Sequence, residues 1–340
     1  MKSPAFKSGG LVDLQVNGFA GIDFNAGAFA PGQIDAAMQA LRATGVTCLL
    51  PTLITATPDQ LKTRINALDD AISQCATASV MCPGYHLEGP FLNPADGYAG
   101  CHPPASMRAP DFALIRRLEN ALKRPILLIT IAPELPGAEA FIRQATAAGK
   151  LVAIGHSATD FATATRAADA GATLSTHLGN GLPHNLPKLA NPIMAQLAED
   201  RLFTCFIADG LHIPPPALKV LIRAAGARAI LVSDAVAAAA QPPGVYPFAG
   251  MHVQRDADGK VSIPGQPGLA GSSLCLDAAV RNLVAWGIAS PEQAIAMASA
   301  HPARLLAPAL AAHGLPMPHG ALAWSEDLVP TPCLENTDVE

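Results

Sequence analysis

The chain is poor in charge. Of its 340 residues only 14% are Asp, Glu, Lys or Arg, while 50% are hydrophobic, so it can bury a large core. Its formal net charge is −5 and it has no basic stripe, which argues against nucleic acid as a partner. It also lacks an uninterrupted apolar run of transmembrane length, so we expect no membrane partner.

The sequence contains no CxxC pair among its seven cysteines, and their odd number does not suit a disulfide framework. We interpret them as reduced thiols. The first residues, MKSPAFKSGG, are basic but are not followed by the apolar segment of a secretory signal. Together these features predict a cytoplasmic protein.

Eight short apolar runs alternate with Ala-rich segments that suit helices. Strands buried on both faces of a sheet read as continuous apolar runs, as these do. The alternation predicts a parallel sheet, and eight repeats favour a closed (β/α)8 TIM barrel over an open doubly wound sheet. The predicted strands cover 11–16, 46–54, 80–87, 126–132, 151–155, 172–176, 202–208 and 229–233, and the predicted helices cover 32–44, 58–77, 110–122, 137–148, 160–170, 191–199 and 214–225.

The pattern changes after the eighth predicted strand. Asp258 and Gly259 stand between two alternating runs and predict a hairpin within 250–264. We expect one barrel domain over residues 11–310 and an extended C-terminal tail over residues 311–340, poorly ordered at its end. Two further helices are predicted, over 270–287 and 291–309.

Four predicted strands end in residues that bind metals or transfer protons. GYHLEGPF contains Glu88, LVAIGHS contains His156, ATLSTH contains His177, and AILVSDA contains Asp234. Active-site residues of parallel barrels lie at the carboxyl ends of strands, so these four side chains are expected to converge.

Glu88, His156 and His177 are predicted to bind one divalent metal ion. A glutamate at a barrel rim is costly to bury without a cation or a basic partner, and a rim ion pair is the alternative. One histidine after an apolar run is usually a core residue, but two on successive strands can face the same ion. This ligand set is common for catalytic zinc, although iron, cobalt or manganese could also bind.

Asp234 is predicted to be the general acid and base beside that metal. The alternative, a helix N-cap, fits the following AVAAAAQPPG poorly. Gln15 and Asn17 stand where many barrel hydrolases carry an HxH pair for a second metal. Amides are weak zinc ligands, so a single-metal site is predicted.

Two loop histidines and one asparagine are candidates for substrate contact. His102, in GCHPP, and His212, in ADGLHIPP, follow the third and seventh predicted strands. Either imidazole could polarise a carbonyl or hold a polar group, the alternative being surface or loop packing. Asn180 follows His177 in the Gly-rich LGNGLP, and its amide suits sugar hydroxyls.

These segments together resemble the N-acetylglucosamine-6-phosphate deacetylase family of the amidohydrolase superfamily. The matching segments run in order through most of the chain. They are VDLQVNGFAGIDF (12–24), HLEGPFLNP (86–94), GCHPP (100–104), GHSATD (155–160), THLGNGLP (176–183), FIADGLH (206–212), LVSDA (231–235), LAGSSLCLDAAVRN (269–282) and HPARLL (301–306).

The resemblance implies hydrolysis of the N-acetyl amide of an amino sugar at a site with one metal ion, usually zinc. It implies that Asp234 is the general base and acid and that His102 polarises the acetyl carbonyl. Asn180, Gly181 and His212 would contact the sugar or its phosphate. It also implies a homodimer with shared sites.

The sequence departs from the family pattern in the loop HLGNGLPHNLPKLANP. Family members usually carry an arginine there that binds the 6-phosphate, and Lys188 takes its place. A lysine can bind phosphate as a point charge but lacks the bidentate fork of arginine. A deacylase of a non-phosphorylated N-acyl amino sugar or another N-acyl compound is therefore compatible with the same residues.

The barrel fold alone also allows proteins that do not hydrolyse amides. A non-catalytic sugar-binding protein, an isomerase or a lyase could be built on it.

The resemblance also leads to an expectation about the segment before the first barrel strand. The family carries a segment before the first barrel strand that joins the tail in a small β-sandwich. Because the first predicted strand begins near residue 11, we expect this sandwich to be absent or reduced to a remnant.

Overall fold

The computed structural model of the chain describes residues 6–333. Its main element is a sheet of eight parallel strands surrounded by helices. The strands are β1 (Phe6–Gly9), β2 (Leu11–Val16), β3 (Gly18–Phe19), β4 (Ile22–Asp23), β5 (Val46–Ile54), β6 (Tyr85–Glu88), β7 (Ile126–Ile131), β8 (Leu151–Ile154), β9 (Leu174–Ser175), β10 (Phe203–Phe206), β11 (Ala229–Leu231), β12 (Gly244–Phe248), β13 (Met251–Arg255), β14 (Val261–Ser262), β15 (Ala321–Trp324) and β16 (Pro330–Pro332). The helices are α1 (Gln33–Ala43), α2 (Pro58–Ser73), α3 (Ala76–Met81), α4 (Phe112–Glu119), α5 (Ala138–Ala147), α6 (Phe161–Ala170), α7 (Pro192–Leu197), α8 (Pro215–Ala225), α9 (Leu276–Ala285), α10 (Pro291–Ala298) and α11 (Ala300–Ala312).

The eight parallel strands form a barrel. They follow the order β2, β5, β6, β7, β8, β9, β10, β11, so each strand pairs with the next barrel strand along the chain. The two ends of the sheet meet beyond β2 and β11. There the Asp234 N–H donates to the Gln15 carbonyl at 3.0 Å, and the Asn17 N–H donates to the Ala235 carbonyl at 2.7 Å. The predicted (β/α)8 class is confirmed.

Local sequence explains why the helices form and where they begin. In α1 the buried residues Ile34, Met38 and Leu41 recur at helical spacing and face the barrel. α2 begins with a capping box: the Thr57 hydroxyl accepts the backbone N–H of Gln60, whose side chain accepts the N–H of Thr57. Such caps satisfy backbone groups that a helix end leaves unpaired.

Several predicted boundaries are wrong, including that of the helix predicted over 58–77, which is α2 and the start of α3. The strand predicted over 80–87 begins only at Tyr85, because Val80 and Met81 belong to α3. A short apolar run does not by itself distinguish a strand from a buried helix. The helix predicted over 291–309 is two helices, α10 and α11, separated at Ser299, whose φ of −132° is not helical.

The ends of the described chain meet in a small antiparallel sheet. β15 pairs with β1 on one side and with β16 on the other. Trp324 of β15 is fully buried, and its Nε1 donates to the Ser8 hydroxyl at 2.8 Å. Residues 334–340 of the predicted tail lie outside the described residues. The predicted boundary at residue 310 falls in the last turn of α11, and that division of the chain stays a prediction.

No helix between residues 6 and 333 combines the length and the apolar character needed to cross a membrane.

Candidate metal centre

The three predicted metal ligands meet at the carboxyl ends of β6, β8 and β9. One ligand atom from each of Glu88, His156 and His177 lies within 4.8 Å of the others, and all three residues are buried. His177 Nε2 is 2.9 Å from Glu88 Oε1, and His156 Nε2 is 3.4 Å from the same oxygen. One carboxylate and two imidazoles in this arrangement suit a divalent transition metal.

Three of the four strand-end residues have left-handed backbone conformations. The φ angles are 51° at His156, 26° at His177 and 50° at Asp234. A residue other than glycine adopts this backbone conformation only at an energetic cost, and such residues cluster at functional sites. Here each turn ends a strand and brings its side chain to the mouth of the barrel.

The ring of His156 is fixed by the loop after β6. Its Nδ1 lies 2.7 Å from the carbonyl oxygen of Tyr98, so Nδ1–H donates there and Nε2 faces Glu88. Metal-binding histidines are commonly held in this way by a hydrogen bond at the other ring nitrogen. Gly181 lies against the ring, since a Cβ at this residue would stand 2.5 Å from His156 Nδ1.

The charge of Glu88 is stabilised in spite of its burial. Burial alone would raise its pKa, but the hydrogen bonds with His156 and His177 outweigh that effect and hold the pKa well below its usual range. Burial lowers the pKa of His177, yet the bond to Glu88 dominates and the pKa is raised. Each of these two groups therefore stabilises the charged form of the other.

His102 lies on the other side of Glu88. Its Nε2 is 3.7 Å from Glu88 Oε2, and its ring centroid is 4.5 Å from that of His156. Burial, with a contribution from His156, lowers the pKa of His102 to about 3, so the ring is neutral near pH 7. Its Nδ1 lies 2.9 Å from the Thr55 hydroxyl oxygen and 3.4 Å from the Thr55 backbone nitrogen, and its Nε2 faces the centre.

Asp234 is held by two amide side chains. Its Oδ1 accepts a hydrogen bond from Gln15 Nε2 at 3.0 Å and another from Asn17 Nδ2 at 2.7 Å. Within residues 6–333 no side chain donates to Oδ2, which is therefore the oxygen free to take a proton. Burial raises the pKa of Asp234 to about 6, and the charge of Glu88 adds to the rise.

Among the predicted substrate residues, His212 and Asn180 lie beside the centre, whereas Lys188 lies apart from it. His212 is close enough to Asp234 for its charge to affect that carboxyl, and Asp209 Oδ2 lies 2.6 Å from its Nδ1. The Asn180 amide donates to the His177 carbonyl at 3.0 Å. Lys188 is exposed farther along the same loop, and none of its described contacts joins it to the buried centre.

A groove of about 480 Å³ opens beside His212. Apart from that histidine its walls are apolar, and Val220 is 63% exposed within it. The remaining lining residues are Gly179, Ile193, Ile213, Pro214, Ala217 and Leu221.

Curated proteins and solved structures resemble this chain over most of its length, although no family model matches it. An N-acetylgalactosamine-6-phosphate deacetylase from Escherichia coli O157:H7 is 35% identical over 297 residues, which are 87% of this chain and 76% of that protein. An N-acetylglucosamine-6-phosphate deacetylase from Danio rerio is 34% identical over 315 residues, 87% of this chain and 74% of that protein. The chain belongs to the N-acetylglucosamine and N-acetylgalactosamine-6-phosphate deacetylase family.

The solved structures agree with this membership. A mutant N-acetyl-D-glucosamine-6-phosphate deacetylase from Mycobacterium smegmatis, in complex with N-acetyl-D-glucosamine-6-phosphate, superposes with a TM-score of 0.83 at 29% identity. The match covers 96% of this chain and 84% of that one. The deacetylase from Pasteurella multocida gives a TM-score of 0.83 at 25% identity, over 96% of this chain and 85% of that one.

Sequence reasoning misses several residues around the centre of this deacetylase-family chain. It treats Gln15 and Asn17 only as replacements for metal ligands, although both hold Asp234. It does not single out Asp209 as the partner of His212. Glu134 is a further omission. It lies just beyond the end of β7, after Ala132 and Pro133 in IAPE, and so shares the strand-end position that identifies the predicted site residues.

The contact between Gly181 and His156 yields a prediction for metal affinity. Gly181→Ala would push the imidazole out of place, because the new Cβ meets the ring at a residue whose φ is already 61°. We expect the Kd for zinc to rise about 10-fold or more, measured by competition with a chromophoric chelator. Gly179→Ala is the control, since its φ of 97° is also left-handed but its Cβ meets Ile213. Equal zinc affinity in Gly181→Ala and the wild type would contradict this role.

Proposed function

We propose that the chain hydrolyses the N-acetyl amide of an amino sugar phosphate, N-acetylglucosamine-6-phosphate or a close relative, and releases acetate and the free amine. The observation that carries this proposal is the buried Glu88, His156 and His177 centre with Asp234 beside it at the barrel mouth. The related proteins named above are deacetylases of such sugars. A purely sugar-binding barrel would not need this full set of chemically active groups.

The metal we propose is zinc, held by Glu88, His156 and His177. The donor set fits, because the imidazole Nε2 atoms of both histidines face one buried carboxylate. When bound, such a cation polarises the amide carbonyl and makes a water nucleophilic near neutral pH. Iron, cobalt or manganese would suit the same ligands.

Asp234 is proposed to move the proton. Its free Oδ2 takes a proton from the attacking water and then delivers it to the nitrogen of the leaving amine. Its raised pKa favours both steps, since a carboxyl with a pKa near the working pH exchanges protons readily in either direction. Gln15 and Asn17 keep Oδ1 occupied, so the transfer is directed through one oxygen.

The remaining candidates are proposed to bind the substrate. The neutral His102 donates from Nε2 to the acetyl oxygen as negative charge develops there. Asp209 orients His212 toward the sugar. Asn180 and Gly181 belong to the loop that would lie beside the sugar. Lys188 is proposed to reach the 6-phosphate as a point charge.

A deacylase of non-phosphorylated N-acyl compounds is the second candidate. It is favoured by the exposed position of Lys188, away from the buried centre.

One assay tests the reaction and separates the two candidates. Acetate release by zinc-loaded protein is measured from N-acetylglucosamine-6-phosphate and from N-acetylglucosamine, with the galactosamine epimers in parallel. We expect the phosphorylated sugars to give at least a ~100-fold higher kcat/KM, on the order of 3 kcal/mol. Equal rates would favour the second candidate. Asp234→Asn should lose about 100-fold or more in kcat while keeping its zinc, and wild-type turnover in that variant would refute the role of Asp234.

A pH profile tests the hydrogen bond from Asn17 to Asp234. Donation to a carboxylate stabilises its charged form and lowers its pKa, so Asn17→Ala raises the pKa of Asp234 further. Since the base must be deprotonated, the acid limb of kcat/KM should move to higher pH, by roughly 0.5–1 unit. Asn120→Ala, at an exposed helix end, is the control. An unmoved limb, or one at lower pH, would contradict the assignment.

We also propose a homodimer in the cytoplasm. The exposed apolar groove between α7 and α8 supports the dimer, because contiguous apolar surface commonly marks an interface and this one adjoins His212. The occupant we assign to it is a second copy of the chain. The seven cysteines, all free thiols, support a reducing compartment.

Light scattering during gel filtration tests the dimer. We expect twice the chain mass of 34.9 kDa, and we expect Val220→Lys to give monomers because it places a charge in the apolar groove. Val80→Lys adds the same charge at an equally exposed residue of α3 and should remain dimeric. A wild-type chain that is monomeric at micromolar concentration would refute the proposed dimer.

A further inference from the structure

Glu134 makes a dense set of hydrogen bonds at the end of β7. Its Oε2 accepts the hydroxyl of Ser157 at 2.6 Å, and its Oε1 accepts the backbone N–H of Ala158 at 2.6 Å. The same Oε1 accepts the side-chain amide of Asn93 at 2.9 Å. A single carboxylate therefore joins the end of β7 to the segment after β8 and to the loop after β6.

These partners surround the metal ligand His156. Ser157 and Ala158 follow it directly, and the backbone N–H of Asn93 donates to its carbonyl at 3.1 Å. His156 has a φ of 51°, a conformation that a non-glycine residue keeps only when its surroundings fix it. Glu134 holds Ser157 and Ala158, on the C-terminal side of His156. It also holds Asn93, whose backbone N–H donates to the His156 carbonyl.

The loop that Glu134 anchors also carries two groups of the centre. Asn93 lies on the same connection as Tyr98, whose carbonyl accepts Nδ1–H of His156, and as His102, which faces Glu88. The side-chain bond between Asn93 and Glu134 thus fixes one end of the segment that orients the imidazole. The backbone and the ring of His156 are both linked to Glu134, the backbone through Asn93 and the ring through this loop.

We propose that Glu134 is a positioning residue for His156, which sets the direction of its Nε2 and thereby the affinity and geometry of the metal centre. This inference rests on the metal centre of the proposed function. All three donors to Glu134 are neutral groups of the loops around His156, so its contacts serve local geometry. Outer partners of metal ligands commonly change metal affinity by about 10–100-fold when removed.

Cobalt binding tests the proposal without relying on turnover. The metal-free protein is titrated with Co²⁺ against a competing chelator, and its visible spectrum is recorded at saturation. Glu134→Ala removes every acceptor and should raise the Kd for cobalt by about 10–100-fold. Glu134→Gln keeps the shape of the side chain but only one acceptor oxygen, so it should raise the Kd about 10-fold and alter the spectrum. Glu139→Gln, on α5 and paired with Arg166 at 3.0 Å, is the matched control and should be unchanged.

The outcomes separate this inference from the proposed function. Wild-type affinity and spectrum in both Glu134 variants, with cobalt bound normally by the wild type, would refute the positioning role alone. A wild-type chain that takes up no cobalt would refute the metal centre and this role with it. If Glu134→Ala fails to fold, Glu134→Gln decides, because it fills the same volume and preserves part of the network.

Discussion

The burial of one carboxylate among imidazoles is the constraint on which the site depends. Glu88 lies at the end of a barrel strand with almost no solvent contact, where an unpaired charge would cost several kcal/mol. Three histidines from two neighbouring strand ends and a loop surround it at 2.9 to 3.7 Å. The charge of Glu88 is balanced when it shares a proton with an imidazole or when a cation binds. Without either, the carboxylate would be buried as an unpaired charge. The closed barrel makes it possible, because it brings the ends of β6, β8 and β9 to one mouth.

A surrounding layer of neutral groups turns this cluster into a directed site. Gln15 and Asn17 occupy one oxygen of Asp234 and leave the other free. The Tyr98 carbonyl fixes which nitrogen of His156 faces the centre, and Gly181 allows the loop after β9 to approach that ring. The left-handed turns at His156 and Asp234 carry a local cost that these contacts offset. In the proposed mechanism, metal affinity and the direction of proton transfer therefore depend on residues that contact neither the metal nor the transferred proton.

The strand-end residues can be predicted from the sequence because the strand and the residue that follows it are both marked locally. An apolar run marks the strand, and a Glu, His or Asp directly after it marks the mouth of the barrel. Contacts between residues distant in sequence leave no such mark: Asn17 and Asp234 are 217 residues apart, so their hydrogen bond cannot be read from the chain. The helix at Val80 resembles a strand in sequence because a short apolar run suits both. Glu134 does carry the local signal. Whether Lys188 binds phosphate depends on the conformation of an exposed loop, which neither periodicity nor spacing determines.

Glu88, His156 and His177 are proposed to hold one divalent ion per chain. The most direct test is metal stoichiometry by atomic emission after the metal-free protein is loaded with zinc and passed through a desalting column. We predict one equivalent of zinc per chain, and a loss of most of it in Glu88→Gln, which keeps the shape of the side chain but not its charge. A wild-type chain that retains no zinc, or that retains two equivalents, would contradict the account.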